Sequence, residues 1–360
     1  MQSIKILKAA AVLAIPVLLI AILVAGKPFF VPICFAGLLA MLLLPVARWL
    51  QRNGWPPVVS ILCSMLLLAL ALAGIVLFIS WQVSDIAENA GKLEQEIARR
   101  YQELRTYIAT EYGISPEKQQ QMLKEQQSGS SGKAASIITG IISGLGSFLT
   151  NLLLVFVYIF LFMHFRGRIK GFIIRLVPQS SQAAAIVTIQ EVQQVIQKYL
   201  GGLALMIAML WVMYGIGFSI AGVKNALFFA ILCGLLEIVP FVGNLTGTAV
   251  TLLMALVQGG GTNLIIGILV TYALVQFIQS YLLEPLVVGA EVNINPMATI
   301  VGLVAGEFIW GIPGMILAIP LMGMLKIICD HVPALQPYAY LMGQEKKQDD
   351  KKKRQQPADA

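Results

Sequence analysis

The chain has 360 residues, of which 58% are hydrophobic and only 12% charged, and its mean hydropathy is +0.81. Soluble domains carry about 45–50% apolar and about 25% charged residues, so a water-soluble globule cannot hide this much apolar surface. Lipid tolerates such a composition. The net charge of +7 then reads as orientation signals and headgroup contacts rather than as a nucleic-acid surface.

The first apolar run, 6–25, follows Lys5 and Lys8. A secretory signal cleaved near Val24-Ala25-Gly26 is the alternative reading, but a series of later spans argues against it. Runs 29–46 and 58–79 come next, fenced by Lys27-Pro28, by Arg48 and Arg52, and by the turn through Gly54, Pro56 and Pro57. Residues 1–80 thus read as three transmembrane helices of about 20 residues each. Composition then switches: 84–127 holds eight acidic and six basic residues, with Ile86, Ala90, Leu93, Ile97, Leu104 and Ile108 at helical spacing. With the flexible 128–132 stretch, this predicts a water-exposed, extracytoplasmic helical insertion and linker over 81–135. A fourth span occupies 136–165.

Arg166, Arg168, Lys170 and Arg175 open the segment 166–200. Its periodic apolar residues predict two cytoplasmic amphipathic helices at the membrane surface, broken at Pro178. The region 201–330 reads as a transport core. It holds a full run at 203–221 and another at 264–283. It also holds two short interrupted pairs, 226–257 around Pro240 and 297–328 around Trp310 and Gly311. Residues 331–360 form a polar, Lys-rich tail. The prediction is an all-α polytopic integral membrane protein with about eight transmembrane helices, two of its hairpins broken or re-entrant. The basic residues place the N- and C-termini in the cytoplasm.

Enzyme chemistry finds no support. There is no GxxxxGK[ST] loop for an ATP-driven pump, no HExxH, and no GxSxG elbow. His164 and His331 stand far apart. Cys34, Cys63, Cys233 and Cys329 lie in or beside apolar runs without metal-ligand or disulfide spacing, and read as small buried hydrophobes. Neither a cofactor nor a metal is expected.

Three carboxylates interrupt the late apolar runs: Glu237, Glu284 and Glu307. Each adjoins a helix breaker: Pro240 and Gly243, Pro285, and Gly311 with Pro313. A charge at the bilayer centre costs about 2.5–3.5 kcal/mol on insertion scales, so such a residue usually faces a bundle interior or a wet cavity. Paired short interrupted segments are the sequence pointer to a transporter site. A carboxylate in a dry site can take up a proton or a small cation. The predicted pathway therefore joins Glu237, Asn244, Thr246, Gln276, Gln279, Glu284 and Glu307. The competing reading has the carboxylates pairing with headgroups or with interfacial Lys and Arg.

An ordered series of motifs now adds a resemblance. Tyr199-Leu-Gly-Gly202, Ala221-Gly-Val-Lys-Asn225, Glu237-Ile-Val-Pro240-Phe-Val-Gly243-Asn244, Leu283-Glu284-Pro285 and Gly311-Ile-Pro-Gly-Met-Ile-Leu-Ala-Ile-Pro320 resemble the AI-2E family of autoinducer-2 exporter-like permeases. The resemblance covers about residues 5–330. It implies about eight membrane helices with a water-exposed insertion after the third, and a homo-oligomer, with a pentamer among the expected assemblies. It carries family positions onto Glu237, Pro240, Gly243, Glu284, Pro285, Gly311, Gly314 and Pro320. The expected activity is export of a small polar solute across a bacterial inner membrane, with the quorum-sensing signal autoinducer-2 as the best-named cargo and proton or sodium coupling. A monovalent cation/proton antiporter is the alternative, and a non-transporting membrane scaffold that uses the acidic insertion is a third.

Overall fold

A computed structural model describes residues 2–88, 99, 102, 106, 151–239, 242–257, 260–288 and 293–344. Most of the predicted insertion, the first part of the fourth span and the tail beyond 344 lie outside the described residues. The described chain is helical. Its elements are α1 (Gln2–Ala25), α2 (Lys27–Arg52), α3 (Pro57–Glu88), α4 (Asn151–His164), α5 (Arg166–Leu176), α6 (Gln182–Ala221), α7 (Ala226–Leu236), α8 (Val242–Val257), α9 (Thr262–Ile278), α10 (Pro296–Trp310), α11 (Ile312–His331) and α12 (Gln336–Met342). Among the described residues, extended pairing is limited to one antiparallel bridge, Ile294 with Gly343.

Five helical stretches are long and apolar enough to cross a bilayer: Lys27–Arg52, Pro57–Gln82, Gln179–Ala221, Thr262–Glu284 and Ile312–His331. A sixth is α4 with α5, if the pair is one span bent by 70° at Phe165. The sequence predicts about eight spans; among the described residues five or six reach that length. The other apolar stretches, Ala14–Ala25, Ala226–Leu236, Leu245–Leu256 and Pro296–Trp310, are shorter.

Two features depart from the sequence reading. The surface segment after Pro178 and the fifth apolar run are one 40-residue helix, α6. Gly201 and Gly202 do not break it, because a helix interior only weakens by about 0.5–1 kcal/mol per glycine. The last short run is a 20-residue helix, α11, with Pro320 buried inside it.

The chain forms two compact units: Met1–Pro57 with Tyr158–Ala204 and Pro285–Ala360, and Val58–Val157 with Leu205–Glu284. In the first unit, Leu38 of α2, Val192 and Ile196 of α6, Trp310 of α10, and Leu317 and Ile327 of α11 share a core. Two side chains tie its helices through backbone groups. The Trp310 indole donates to the Leu23 carbonyl at 2.9 Å, and Gln197 Nε2 donates to the Met41 carbonyl at 2.8 Å.

Helices α10 and α11 pack as an antiparallel hairpin. Gly306 and Gly314 touch backbone to backbone where the arms cross, and Gly302 lies against Met322. Small residues permit that close approach, the usual means of joining helices in lipid. Gly311 makes the turn at φ +69°, a region that glycine enters without a Cβ clash.

In the second unit, α7 and α8 form another antiparallel hairpin, with Gly247 against Cys233 and Gly243 against the Leu236 carbonyl. Gly217 faces Thr271, and Gly267 faces Ala221, so small residues also join α6 to α9. The Ala221-Gly-Val-Lys-Asn225 motif is a tight link in which Gly222 and Asn225 both take positive φ, 83° and 57°. Broad apolar faces stay exposed in both units, as expected of helices solvated by acyl chains.

Candidate functional site

Helix α7 ends at Glu237, which caps it through an N–H bonded to the Cys233 and Leu235 carbonyls. The chain then turns back, and Gly243 N donates to the Val239 carbonyl at 3.0 Å. A Cβ on Gly243 would overlap the Leu236 carbonyl, so glycine is needed for the hairpin to close at this point. Pro240 and Phe241 lie outside the described residues.

From the facing side, α9 continues into a widened turn of π type over Gln279–Val288. Pro285 lies inside it and has no N–H to give to a regular helical ladder. Widened turns of this kind are frequent at functional sites because they re-aim side chains. Gln279, only 1% exposed, begins this turn and donates from Nε2 to Glu237 Oε1 at 2.7 Å. The remaining oxygens of the pair, Glu237 Oε2 and Gln279 Oε1, are buried and have no hydrogen-bond partner among the described residues. Both are acceptors. A buried polar group left unpaired costs about 1–3 kcal/mol, and an unpaired acceptor is relieved by a proton or a cation.

Other groups surround this pair. Glu284 is exposed, yet close enough to interact electrostatically with Glu237 and with Gln279. Tyr214, Tyr272 and Cys233 also lie within electrostatic reach of Glu237. Cys233 Sγ sits 3.7 Å from Thr251 Oγ1, which donates to the Gly247 carbonyl at 2.9 Å. Sequence reasoning missed Tyr214, Cys233, Thr251 and Tyr272. Their one signal was a hydroxyl or thiol set into an otherwise apolar run.

The structure thus brings together Glu237, Gln279 and Glu284 of the predicted pathway, with Gly243 shaping the turn. Gln276 lies one turn before Ser280, to which its Nε2 donates at 3.3 Å. Thr246 is exposed on α8, and the side chains of Asn244 and Pro285 lie outside the described residues. Glu307, Gly311, Gly314 and Pro320 belong to the other unit. There Glu307 is exposed on α10 and its carbonyl accepts the Gly311 N–H at 2.7 Å, while Gly311, Gly314 and Pro320 build the α10–α11 hairpin. No group of three or more His, Cys, Asp or Glu is placed to hold a metal ion among the described residues.

Several apolar helices, two glycine-closed hairpins and a half-buried carboxylate set among them define a polytopic α-helical membrane transport protein. The family model described as "AI-2E family transporter" matches residues 13–334, and the chain belongs to that family. Its relatives include "Putative transport protein YrrI" of Bacillus subtilis (strain 168), 26% identical over 312 residues, covering 85% of this chain and 87% of the relative. "Putative transport protein YueF" of the same organism is 27% identical over 310 residues, covering 82% of each chain. "Putative transport protein YhhT" of Escherichia coli (strain K12) is 23% identical over 333 residues, covering 92% and 93%. None of these names specifies a cargo.

Proposed function

We propose that the protein exports a small polar solute across the inner membrane, coupled to a proton or a monovalent cation that rides on Glu237. The observation carrying this reading is the pair of buried acceptor oxygens, Glu237 Oε2 and Gln279 Oε1, which have no hydrogen-bond partner among the described residues. A carboxylate that alternates between free and occupied states gives the α7–α8 hairpin two charge states, and a bistable element of this kind is what alternating access requires. Autoinducer-2 is the leading cargo, on the strength of the family. The same oxygens fit a second reading, a monovalent cation/proton antiporter in which the cation itself is the cargo.

Flux in proteoliposomes of the purified protein separates the two. Coupled export predicts autoinducer-2 flux that rises with an imposed proton or sodium gradient. In Glu237→Gln that flux falls by roughly tenfold, the effect of about 1.4 kcal/mol on the transport barrier. The antiporter reading predicts no autoinducer-2 flux, but dissipation of a pH gradient by sodium or lithium that is lost in the same variant. Undiminished transport in Glu237→Gln would remove the site, and absence of all flux would favour the scaffold.

A further inference from the structure

A second polar cluster lies in the other unit, at the end of α2. Arg48, Gln51 and Arg52 are three and four residues apart, and so share one face of the last turn. Arg166 opens α5 and donates from Nη2 to Gln51 Oε1 at 2.8 Å. Gln51 Oε1 is the one acceptor atom among these two side chains, since a guanidinium only donates. What remains is donors: Gln51 Nε2 and Arg166 Nη1 are buried without a partner among the described residues. Arg48 meanwhile feels Arg52 and Arg166 as like-charged neighbours.

Among the described residues no carboxylate relieves this arrangement. The sequence holds no Asp or Glu before Asp85 and none between Glu125 and Glu191. Among the described residues none forms an ion pair with these three arginines. Three guanidinium groups within electrostatic reach of one another, and an amide held by one of them, with two donors left over, form the complement of an oxyanion. Planar guanidinium forks match phosphate in particular, because they bind two of its oxygens at once.

The surroundings indicate where the phosphate comes from. Trp49 and Trp55 flank the cluster and are 62% and 46% exposed, as indoles at headgroup depth are. Helix α5 leaves the line of α4 by 70° and buries none of its residues, while Phe172 and Leu176 are exposed beside Lys170 and Arg175. An amphipathic helix of that kind lies in the plane of the interface.

We infer that Arg48, Gln51, Arg52 and Arg166 form a specific site for the phosphate of an anionic phospholipid headgroup. The site is independent of the coupling pair and does not rest on the proposed transport function. An anionic lipid is favoured over a zwitterionic one because a choline or ammonium group would add positive charge to a cluster with no carboxylate paired to it among the described residues.

Native mass spectrometry of the full-length protein, with added phosphatidylglycerol or phosphatidylcholine, tests this. Phosphatidylglycerol should be retained about tenfold more tightly, a difference of about 1.4 kcal/mol in favour of the headgroup that brings no cation. The double variant Arg48→Gln/Arg52→Gln alters two exposed side chains and so leaves folding intact. It should lose that preference, whereas Arg175→Gln, outside the cluster, should keep it. Equal retention of the two lipids, or an unchanged preference in the double variant, would overturn the site. Displacement of phosphatidylglycerol by millimolar inorganic phosphate would overturn its assignment to lipid and leave a soluble phosphate as the ligand.

Discussion

A single hydrogen atom in place of a methyl group decides whether the α10–α11 hairpin can close. A Cβ on Gly314 would fall inside contact distance of the Gly306 carbonyl oxygen, with rigid backbone on both sides and no flexible side chain to yield. Overpacking of a fixed contact costs about 1–3 kcal/mol. Gly314→Ala should therefore lower the thermal midpoint of the detergent-purified protein, because the two arms must separate. Gly201 provides the contrast. It lies exposed in mid-helix with nothing within 4 Å of a would-be Cβ, so Gly201→Ala should raise stability by up to about 1 kcal/mol through helix propensity. A melting temperature that falls equally in both variants would show that backbone contact at Gly314 is not what holds the hairpin.

At the scale of elements, the sequence made the hairpins legible because their breakers sit between apolar arms: Pro240 and Gly243 in one, Gly311 in the other. It made Glu237 legible because a carboxylate in an apolar run has few reasons to be there. It could not show that Gln279 meets Glu237. That pairing depends on the widened turn after α9 and on the register between distant helices, which no local pattern encodes. The continuity of α6 was hidden for the opposite reason, since Gly201-Gly202 reads as a break but is tolerated.

The C-terminal strap was also missed. Asn295 caps α10 by accepting from the Ala298 N–H at 2.7 Å. Its Nδ2 donates to the carbonyls of Leu341 and Gly343 at 2.7 and 3.1 Å, and its backbone N–H to Met342 at 2.8 Å. One side chain therefore starts a helix and clamps α12. Asn295→Asp keeps the cap but loses the donors, whereas Asn295→Ala loses both. The cap adds about 0.5–2 kcal/mol and each neutral bond about 0.5–1.5 kcal/mol. Hydrogen exchange over 336–344 should quicken in both variants, and exchange at the start of α10 in Asn295→Ala alone. Unchanged protection of the strap in Asn295→Asp would mean that its apolar contacts with Tyr199, Ala298 and Cys329 hold it without the clamp.

For the whole molecule, the decisive quantity is helix length against bilayer thickness. The hydrocarbon core is about 30 Å thick, and a helix advances about 1.5 Å per residue. Helix α7 has 11 residues and α8 has 16, so the arms reach only about 16 and 24 Å. A re-entrant hairpin with arms of this length would have its two ends, at Lys224 and Gly261, on one side of the membrane, and its tip and Glu237 at intermediate depth. That is where a coupling carboxylate is reached by water from one face at a time. In a background without the native cysteines, Lys224→Cys and Gly261→Cys should react with a membrane-impermeant maleimide from the same side. Val239→Cys, at the tip, should stay unreactive from the opposite side while the protein rests. Labelling of Val239→Cys from that opposite side under all conditions would mean that the hairpin crosses completely, and would place Glu237 at a surface rather than within the barrier. Labelling that appears only during transport would instead report the opening of the barrier around the buried oxygens.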